Sequence, residues 1–550
     1  MLTAVKAFFF HKTEEQFSYA KLCLGMLLLL ICGIRLLRNF NQLVDISFDD
    51  EVKYMRYGLD MFAQIKNDWG PTYNMWYKLL SLFEHRPIEL YLLNYKIIIL
   101  LTASTLFAFL YSYGISFIAS MWMALCMLVS NVNIVNYPRI SAFVVALFLW
   151  CLIINKLFIT SKSKQYILIC FVLFVAAFAR PELMLSFFLF LIFTMYYIYQ
   201  SKTFKATLVF SIPFIIIIMP LLVFVQLPAN TYMGKDRIYG VFCQHYTLKY
   251  IYQNKLDYAL FIDWIAFSKK QFPNCNTFLD IVKNHPLTVI TGILTNAIIF
   301  LLVVLASLSE FLYPKFLFYR KYLEILSVVL LIILPLFALI PKQKRQIFWS
   351  RVTAEREWLL ILLVFALPGL ASASVFFPRP HYLLFLLIPL LYTLSIVFEI
   401  LFDIKHIRTV SIFVLVGIFF WRMPDMQSYK TPRIISGPCP NQSYKVLIKM
   451  LNERNQHQHV IFSNILNLSM MADKNYTDFS AEQDYNNEQT FIEQLKARKV
   501  DNVLVTDFLL QDLRLKNDST WQHFIQYPNK YGFVKKMPFK DCSTYLLYKE

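Results

Sequence analysis

Long apolar segments separated by short polar loops fill most of the first 425 residues. Nine of them approach the roughly 20 residues that a helix needs to cross a bilayer. They lie near 20–38, 88–111, 115–135, 140–159, 206–226, 322–341, 357–375, 382–400 and 408–422. The stretch 166–199 is too long for one span, and Arg180-Pro181-Glu182 divides it into two short helices. This pattern predicts an α-helical polytopic membrane protein.

The segment 287–308 determines the number of spans. It is apolar, but its first half carries the polar residues Thr288, Thr291, Thr295 and Asn296. If it crosses the membrane, the basic clusters around Lys342–Arg351 and Lys405–Arg408 fall outside, against the cytoplasmic preference of Lys and Arg. We therefore expect it to lie along the interface or to re-enter on the outer face. About eleven transmembrane helices result, with twelve or thirteen left open.

On this topology the loops 39–87 and 227–286 face outward, together with everything after about residue 423. The segment Ala20–Leu37 is long enough to span and is followed by no small-residue cleavage site. We therefore expect a retained first helix, with its N-terminus inside, rather than a signal peptide.

The last part of the chain has a different pattern. Short strand-like runs alternate with helix-like stretches such as Asn487–Ala497. The strand-like runs are Val446–Ile448, His459–Phe462, Val503–Val505 and Tyr545–Tyr548. Such alternation is typical of an α/β domain. We predict a transmembrane domain over 1–425 and a small extracytoplasmic α/β domain over 426–550.

Composition agrees with a membrane protein. Of the 550 residues, 58% are hydrophobic and 16% charged, whereas soluble domains carry about 25% charged residues. The net charge of +18 lies largely in short loops, and no basic helix or RNA-binding aromatic motif accompanies it, so nucleic acid is excluded as a partner. Four cysteines fall in outward polar regions, where Cys243 with Cys275 and Cys439 with Cys542 could form disulfides or remain four unrelated thiols.

An acidic cluster, Asp49-Asp50-Glu51, follows the first apolar segment. Charges at the mouth of a membrane span must be solvated or paired, which makes these residues candidates for chemistry. A carboxylate close to an acceptor hydroxyl can remove its proton, and neighbouring like charges raise the pKa of one member. Two alternatives stay open: the pair could hold a divalent cation, or Asp49 or Asp50 could cap a helix running through Tyr54.

Several short motifs, in order along the chain, resemble those of GT-C membrane glycosyltransferases, which include protein mannosyltransferases, aminoarabinose transferases and arabinofuranosyltransferases. The matching segments are Asp49–Tyr57, Gly70-Pro71-Thr72-Tyr73, Ala179-Arg180-Pro181-Glu182, and Arg379-Pro380-His381-Tyr382 followed by Pro389. A terminal outer α/β domain is also usual in several branches. The likeness extends over essentially the whole chain.

The resemblance implies a donor sugar carried on polyprenyl phosphate and a first-loop aspartate as general base. One alignment favours Asp49 for this role, and the other favours Asp50 with Glu51. The resemblance also implies an active site on the outer face, for which a bacterial inner (plasma) membrane is the expected location. Tyr54, His381 and Tyr382 are the candidates for substrate binding.

Five cations are candidates for the donor phosphate: Arg180, Arg379, Lys53, Arg56 and Arg139. A guanidinium gives bidentate contacts to phosphate and would stabilise the charge of the leaving group. Several relatives carry a carboxylate where this chain has Arg139, which makes a metal bridge between the first two outer loops doubtful. Headgroup contacts, or a structural pair of Arg180 with Glu182, are the alternative.

We therefore expect an inverting glycosyltransferase that acts on a glycan, lipid or protein hydroxyl in contact with membrane lipids. No metal ligands are assigned, and a divalent cation is the one cofactor left open. A transporter or flippase of lipid-linked glycans is a rival, although such a protein needs charges within its spans and here they concentrate at span ends. A non-enzymatic envelope assembly protein is the third alternative.

Overall fold

The computed structural model describes residues 17–46, 50–61, 70–134, 139–225, 231–232, 235–256, 261, 264–312, 341–402, 411–424, 426, 443–453, 459–465, 468–472, 476–481, 484–486, 488–537 and 544–549. In the first half the helices are α1 Tyr19–Leu36, α2 Phe40–Leu43, α3 Asp50–Leu59, α4 Pro71–Leu80, α5 Pro87–Ser112, α6 Phe117–Val129, α7 Asn131–Ile134, α8 Ile140–Phe158, α9 Lys162–Ala177, α10 Leu183–Ser201, α11 Phe204–Pro220, α12 Arg237–Asn254 and α13 Trp264–Gln271. They continue with α14 Phe278–Asn284, α15 Pro286–Leu312, α16 Lys342–Ala354, α17 Arg356–Val375, α18 Pro380–Phe402 and α19 Ser411–Arg422.

Eight helices within the described residues are long and apolar enough to cross a membrane. They are α1 (continued into α2), α5, α8, α10, α11, α15, α17 and α18. The shorter α6 and α19 are apolar as well. The predicted class, a polytopic helical membrane protein, is confirmed; most of the predicted span 322–341 lies outside the described residues.

Burial separates the centre of the bundle from its periphery. In α5 and α8, 67% and 72% of the apolar window is buried, whereas in α11 only 6% is buried. The buried helices pack against each other with Phe107, Phe109 and Phe148 in the core. Most of the isoleucines of α11 are exposed, as expected for a helix that faces lipid tails.

Contacts between loops define two ends of the bundle. At one end Arg139 donates its backbone N–H to Glu51 (2.7 Å), and Thr72 donates to the carbonyl of Val175 (2.8 Å) beside Arg180. We call this end the site face. Loop 39–87, the α7–α8 and α9–α10 junctions and the start of α18 meet there.

Ion pairs mark the other end, which we call the opposite face. Lys156 pairs with Glu355 (3.3 Å) and Lys162 with Glu357 (2.6 Å), while Arg351 pairs with Glu399. The basic clusters near 162 and 342–351 therefore share one end, as the loop charges predict. Lys405 and Arg408 lie outside the described residues.

Helix α15 contains the ambiguous segment 287–308. It is one unbroken helix of 27 residues, so the expectation of a re-entrant segment is wrong. Near its start Asn296 donates to the carbonyls of Ser374 and Phe376 at the site face, and near its end Glu310 accepts from Asn131, which precedes Arg139. These contacts favour an oblique course near the site face, and the interfacial position stays a prediction.

Two glycines allow the loop helices α3 and α4 to pack tightly. A Cβ on Gly58 would lie 2.6 Å from the carbonyl oxygen of Asn74 and 2.7 Å from Cβ of Tyr77. Gly70 has φ +56°, and a Cβ there would lie 2.8 Å from the ring of Tyr54 and 2.9 Å from Ile140. A residue with a side chain is strained at such a φ, so Gly70 sets the turn into α4 and brings it against Tyr54.

The C-terminal region contains a five-stranded sheet. Its strands are β3 His459–Ser463, β4 Tyr476–Ser480, β5 Asn502–Val505, β6 Phe533–Lys536 and β7 Tyr545–Lys549, in the order β4-β3-β5-β7-β6, after a short β1 Thr231–Tyr232 and β2 Lys235–Asp236 pair. The helices here are α20 Ser443–Asn452, α21 Phe491–Ala497, α22 Asp507–Gln511, α23 Leu513–Lys516 and α24 Ser519–Gln526. β4, β3 and β5 are parallel, and β7 is antiparallel to β5 and β6.

Three of the four predicted strands are confirmed, at 459, 503 and 545. The fourth prediction, Val446–Ile448, is wrong because this triplet lies in α20, where Leu447, Ile448 and Leu451 form one buried face at helical spacing. That face continues into the core of the bundle. One face of the five-stranded sheet packs on α21 and α24, around Phe462 and Trp521.

The C-terminal region is attached to the site face by Asp45. Its carboxylate accepts the backbone N–H groups of Tyr444 (3.0 Å) and Lys445 (3.1 Å) at the start of α20, and Lys445 Nζ donates to the carbonyl of Asn41. The first loop and the C-terminal domain are therefore on the same side of the bundle. Which side of a membrane this is stays a prediction.

Cys243 and Cys275, the first predicted pair, are not joined by a disulfide bond in this structure. Both thiols are buried in one small cluster with Tyr239 and Phe272. The second predicted pair, Cys439 and Cys542, lies outside the described residues.

Candidate active site

Asp50 is the first residue of α3, at the site face, and its side chain is half-buried. Its carboxylate makes no hydrogen bond or ion pair within the part of the chain that the structure describes. Helix N-termini favour negative charge, which explains why an acidic residue is tolerated here. Asp49, the other candidate base, lies outside the described residues.

Glu51 points the other way, into the core, where its side chain is 1% exposed. Tyr73 and Tyr77 each donate a hydroxyl to its Oε1 at 2.6 Å, and Asn94 adds an amide at 2.9 Å. Its Oε2 accepts the backbone N–H of Arg139 at 2.7 Å. Burial, followed by the charge of Glu51, raises the pKa of both tyrosines, so they stay protonated as donors. The catalytic role predicted for Glu51 receives no support from this geometry, in which its oxygens hold the loop together.

Tyr54 lies one turn after Asp50 and is buried, with its ring 5.5 Å from that of Tyr73. Burial and then the charge of Asp50 raise the pKa of its phenol, whereas Arg180 and Arg237 lower it. Charged groups from three parts of the chain, the start of α3, Arg180 and Arg237, therefore act on this phenol. The structure brings Asp50, Arg180 and Arg237 to a common site around Tyr54.

Arg180 follows α9 and is buried at the site face. Its guanidinium pairs with Glu182 and lies over the ring of Tyr382, 5.1 Å from the centroid. The structural pair that the sequence offers as an alternative is therefore present. The Nε atom of Arg180 is buried and has no hydrogen-bond partner within the described ranges, which leaves one donor for an oxygen from outside the protein.

Arg139 is not placed to bind a ligand. Its side chain is 1% exposed, donates to the carbonyls of Asn133 and Ile134, and lies 3.8 Å over the ring of Tyr95. These contacts brace the α7–α8 junction, which in turn presents the Arg139 N–H to Glu51. The phosphate contact predicted for this residue finds no support here.

Arg379 lies just before α18 and donates to Nε2 of His245 at 2.6 Å. A guanidinium can only donate, so Nε2 is the acceptor and the proton of the neutral imidazole is on Nδ1. Burial and then Arg379 lower the pKa of His245 to about 3, which keeps it neutral. Its ring stacks on Phe377, 5.5 Å away. Arg379 thus belongs with α12 rather than with Asp50.

The other predicted site residues are less central. Arg56 is exposed and pairs with Asp60 at 2.5 Å, whereas Lys53 is half-buried on the same helix. His381 is 2% exposed, with its ring 4.4 Å from that of Tyr382. Of the two, Tyr382 is the one that meets Arg180.

The sequence leaves open that a pair of carboxylates of the acidic cluster holds a divalent cation. In the described ranges, no three His, Cys, Asp or Glu side chains come together as a set of metal ligands. Asp49 lies outside those ranges, and Asp50 and Glu51 point to different surroundings. The oxygens of Glu51 already accept four protein hydrogen bonds.

Sequence reasoning missed Arg237, Asn94 and His245. Asn94 and Glu51 are 43 residues apart, and His245 meets Arg379 across 134 residues. No local pattern signals pairs at such separations. Comparison with known proteins finds no family model that matches this chain and no curated protein that matches it.

Proposed function

We propose that this chain is a GT-C-type membrane glycosyltransferase with Asp50 as general base. It takes a sugar from a polyprenyl-phosphate donor and transfers it to an acceptor hydroxyl on the extracytoplasmic side, about eleven helices holding the site at the membrane surface. The single observation that carries this proposal is the contrast between two neighbouring carboxylates. Asp50 is half-buried and has no hydrogen-bond or ion-pair partner among the described residues, whereas Glu51 accepts four hydrogen bonds from the protein.

The reaction is a single displacement at the anomeric carbon. The acceptor oxygen forms a bond to that carbon as the carbon–oxygen bond to the carrier phosphate breaks, and the configuration inverts. Asp50 takes the acceptor proton, and polyprenyl phosphate leaves with an additional negative charge. A base within hydrogen-bond reach contributes about 10²–10⁴-fold to such a step.

Arg180 supports the leaving group in this proposal. Its unpartnered Nε–H is a donor for a phosphate oxygen, and Tyr382 and Glu182 fix the plane of the guanidinium. Burial strengthens a charge-assisted hydrogen bond of this kind. Arg237 adds positive charge at the same place.

A flippase would bind the same donor without consuming it.

The test compares carboxylates within and next to α3. The donor is first identified by mass spectrometry of polyprenyl-phosphate lipids that copurify with the protein, and its turnover is then measured. Asp50→Asn should fold and bind donor normally but lose transfer by about 10²–10⁴-fold. Asp60→Asn is the matched control, because Asp60 is a partly exposed carboxylate paired with Arg56, and we expect full activity.

Asp49→Asn and Glu51→Gln complete the series. A loss confined to Asp49→Asn would move the base by one residue and overturn the assignment to Asp50. A helix-cap role predicts no loss in either aspartate variant, since Asn caps as well as Asp. Full activity in both would therefore contradict the mechanism. Donor that is bound but never consumed by the wild-type protein would favour a flippase.

A further inference from the structure

A cavity lies between α15 and α12, the helix that begins at Arg237. Its volume is about 310 Å³, at the lower end of the roughly 300–1,000 Å³ of small-molecule sites. One wall is α12, with His245, Lys249 and Gln253, and the other is the polar stripe of α15. Val375 and Phe376, at the end of α17, close one side.

The α15 wall offers acceptors. Thr291 and Thr295 donate their hydroxyl protons to the carbonyls of their own helix, at Leu287 (2.7 Å) and Thr291 (2.7 Å). Their oxygens therefore keep only lone pairs for a ligand. The side-chain amide of Asn296 donates to two carbonyls. Its Oδ1 is buried and has no partner among the described residues.

The α12 wall offers donors. His245 is 6% exposed, its Nε2 accepts from Arg379, and its Nδ1 has no partner in the part of the chain that the structure describes. In the neutral ring Nδ1 carries the proton, so a buried donor is left over. Lys249 adds an ammonium group, which can only donate.

A ligand that satisfies both walls must accept and donate hydrogen bonds. A phosphate dianion only accepts and would face the lone pairs of the α15 wall. Hydroxyl groups do both. Tyr246 and Tyr250 also line the cavity and provide aromatic faces for the C–H face of a sugar ring.

We propose that the α12–α15 cavity binds a neutral saccharide through its hydroxyl groups. In calling this saccharide the acceptor of the transfer, the inference rests on the proposed function. The opposite side of α15 carries exposed Leu287, Ile290 and Leu294, so the helix that forms one wall of the cavity also presents an apolar surface. Such a helix suits a membrane-bound glycolipid whose saccharide occupies the cavity.

Gly292 allows a sharp test because it lines the cavity and a Cβ there would meet nothing within 4 Å. Gly292→Met should place a side chain in the cavity without disturbing the fold. Gly417→Met is the matched control: Gly417 also lies in an apolar helix, a Cβ there meets nothing within 4 Å, and it is not one of the residues that line the cavity. Both variants remain helical, since Gly is the poorer helix former.

The measurement is binding of the detergent-solubilised protein to an array of immobilised neutral and anionic oligosaccharides. We expect wild type and Gly417→Met to bind a shared subset of neutral saccharides, and Gly292→Met to bind them at least tenfold more weakly. Tyr250→Ala should weaken binding as well, unlike Tyr252→Ala, because Tyr252 is 70% exposed and outside the lining.

Three results would overturn the inference. They are equal binding by Gly292→Met and wild type, no saccharide bound by wild type, and stabilisation by inorganic phosphate that Lys249→Met abolishes. Failure of the proposed transferase looks different. If Asp50→Asn turns over donor normally while Gly292→Met still loses the array signal, the saccharide site stands and the base assignment falls.

Discussion

The site face and the opposite face of the helical bundle differ in how their polar groups are paired. At the opposite face Lys156 pairs with Glu355 and Lys162 with Glu357. At the site face, within the described part of the chain, the carboxylate of Asp50 and the Nε of Arg180 have no partner. An unpaired buried polar group is costly. The difference indicates that the opposite face is built for stability and that the site face is prepared for ligands.

The largest effect is expected at Glu51, a carboxylate of the site face whose oxygens already accept protein hydrogen bonds. Glu51→Ala leaves four donors, including the hydroxyls of Tyr73 and Tyr77, without an acceptor. Each costs about 1–3 kcal/mol, so we expect little folded protein by size-exclusion chromatography. Glu84→Ala, in the same loop, should fold normally. Folded, inactive Glu51→Ala protein would instead give Glu51 a role in chemistry.

The next effect concerns the unpartnered donor. Arg180→Ala should weaken donor binding by about 10–100-fold, because a charge-assisted hydrogen bond contributes about 1.5–3 kcal/mol. Titration of the purified protein with the identified donor measures it. Arg56→Ala, which removes an exposed arginine, is the control and should bind normally.

Arg379→Ala is a second variant for the donor titration, because the sequence predicts phosphate binding at Arg379 too. Because Arg379 donates to His245, we expect its loss to weaken saccharide binding more than donor binding. Wild-type donor affinity in Arg180→Ala would show that its pair with Glu182 is only structural.

A smaller effect depends on pH. The pKa of His245 falls to about 3 in the folded protein, below its ordinary value near 6.5. As pH drops below about 6.5, the unfolded chain takes up a proton that the folded chain does not, so folding stability falls by up to about 1.4 kcal/mol per pH unit. Unfolding of wild type and His245→Asn, compared from pH 7.5 to pH 5, should show this slope only in wild type.

An exposed histidine provides the control for that comparison. His85→Asn should keep the wild-type slope, because His85 lies on the surface of the first loop. Equal slopes in wild type and His245→Asn would mean that the buried ring is protonated in the folded protein, and its pairing with Arg379 would have to be revised.

The smallest effect lies at the opposite face. Lys156→Met breaks a partly exposed pair with Glu355, and such pairs contribute about 0.2–1 kcal/mol. We expect a small shift in melting temperature that disappears at high salt, together with unchanged donor turnover. A change in turnover would show that the two faces are coupled.

Patterns within a few residues predict much of this molecule. The apolar helices, the break at Arg180-Pro181-Glu182 and three strands of the sheet follow from local periodicity. Val446–Ile448 fails because a short apolar run fits a strand or a buried helix face equally well.

The candidate site is only half visible in the sequence. The acidic cluster and Arg180 can be found from charges at span ends. The different roles of Asp50 and Glu51 cannot be found in the sequence. They depend on Asn94 and Arg139, which packing brings close to Glu51. The threonine stripe of α15 is visible too, but its facing wall, with His245, comes from a different loop.

The attachment made by Asp45 has a consequence for the order of biosynthesis. Its partner Tyr444 is 399 residues further along the chain, and at about 5–20 residues per second a ribosome needs roughly 20–80 s to make that length. During this interval the carboxylate has none of its native partners on α20. The contact can form only after α20 has been made, so the C-terminal domain docks on the first loop late in synthesis.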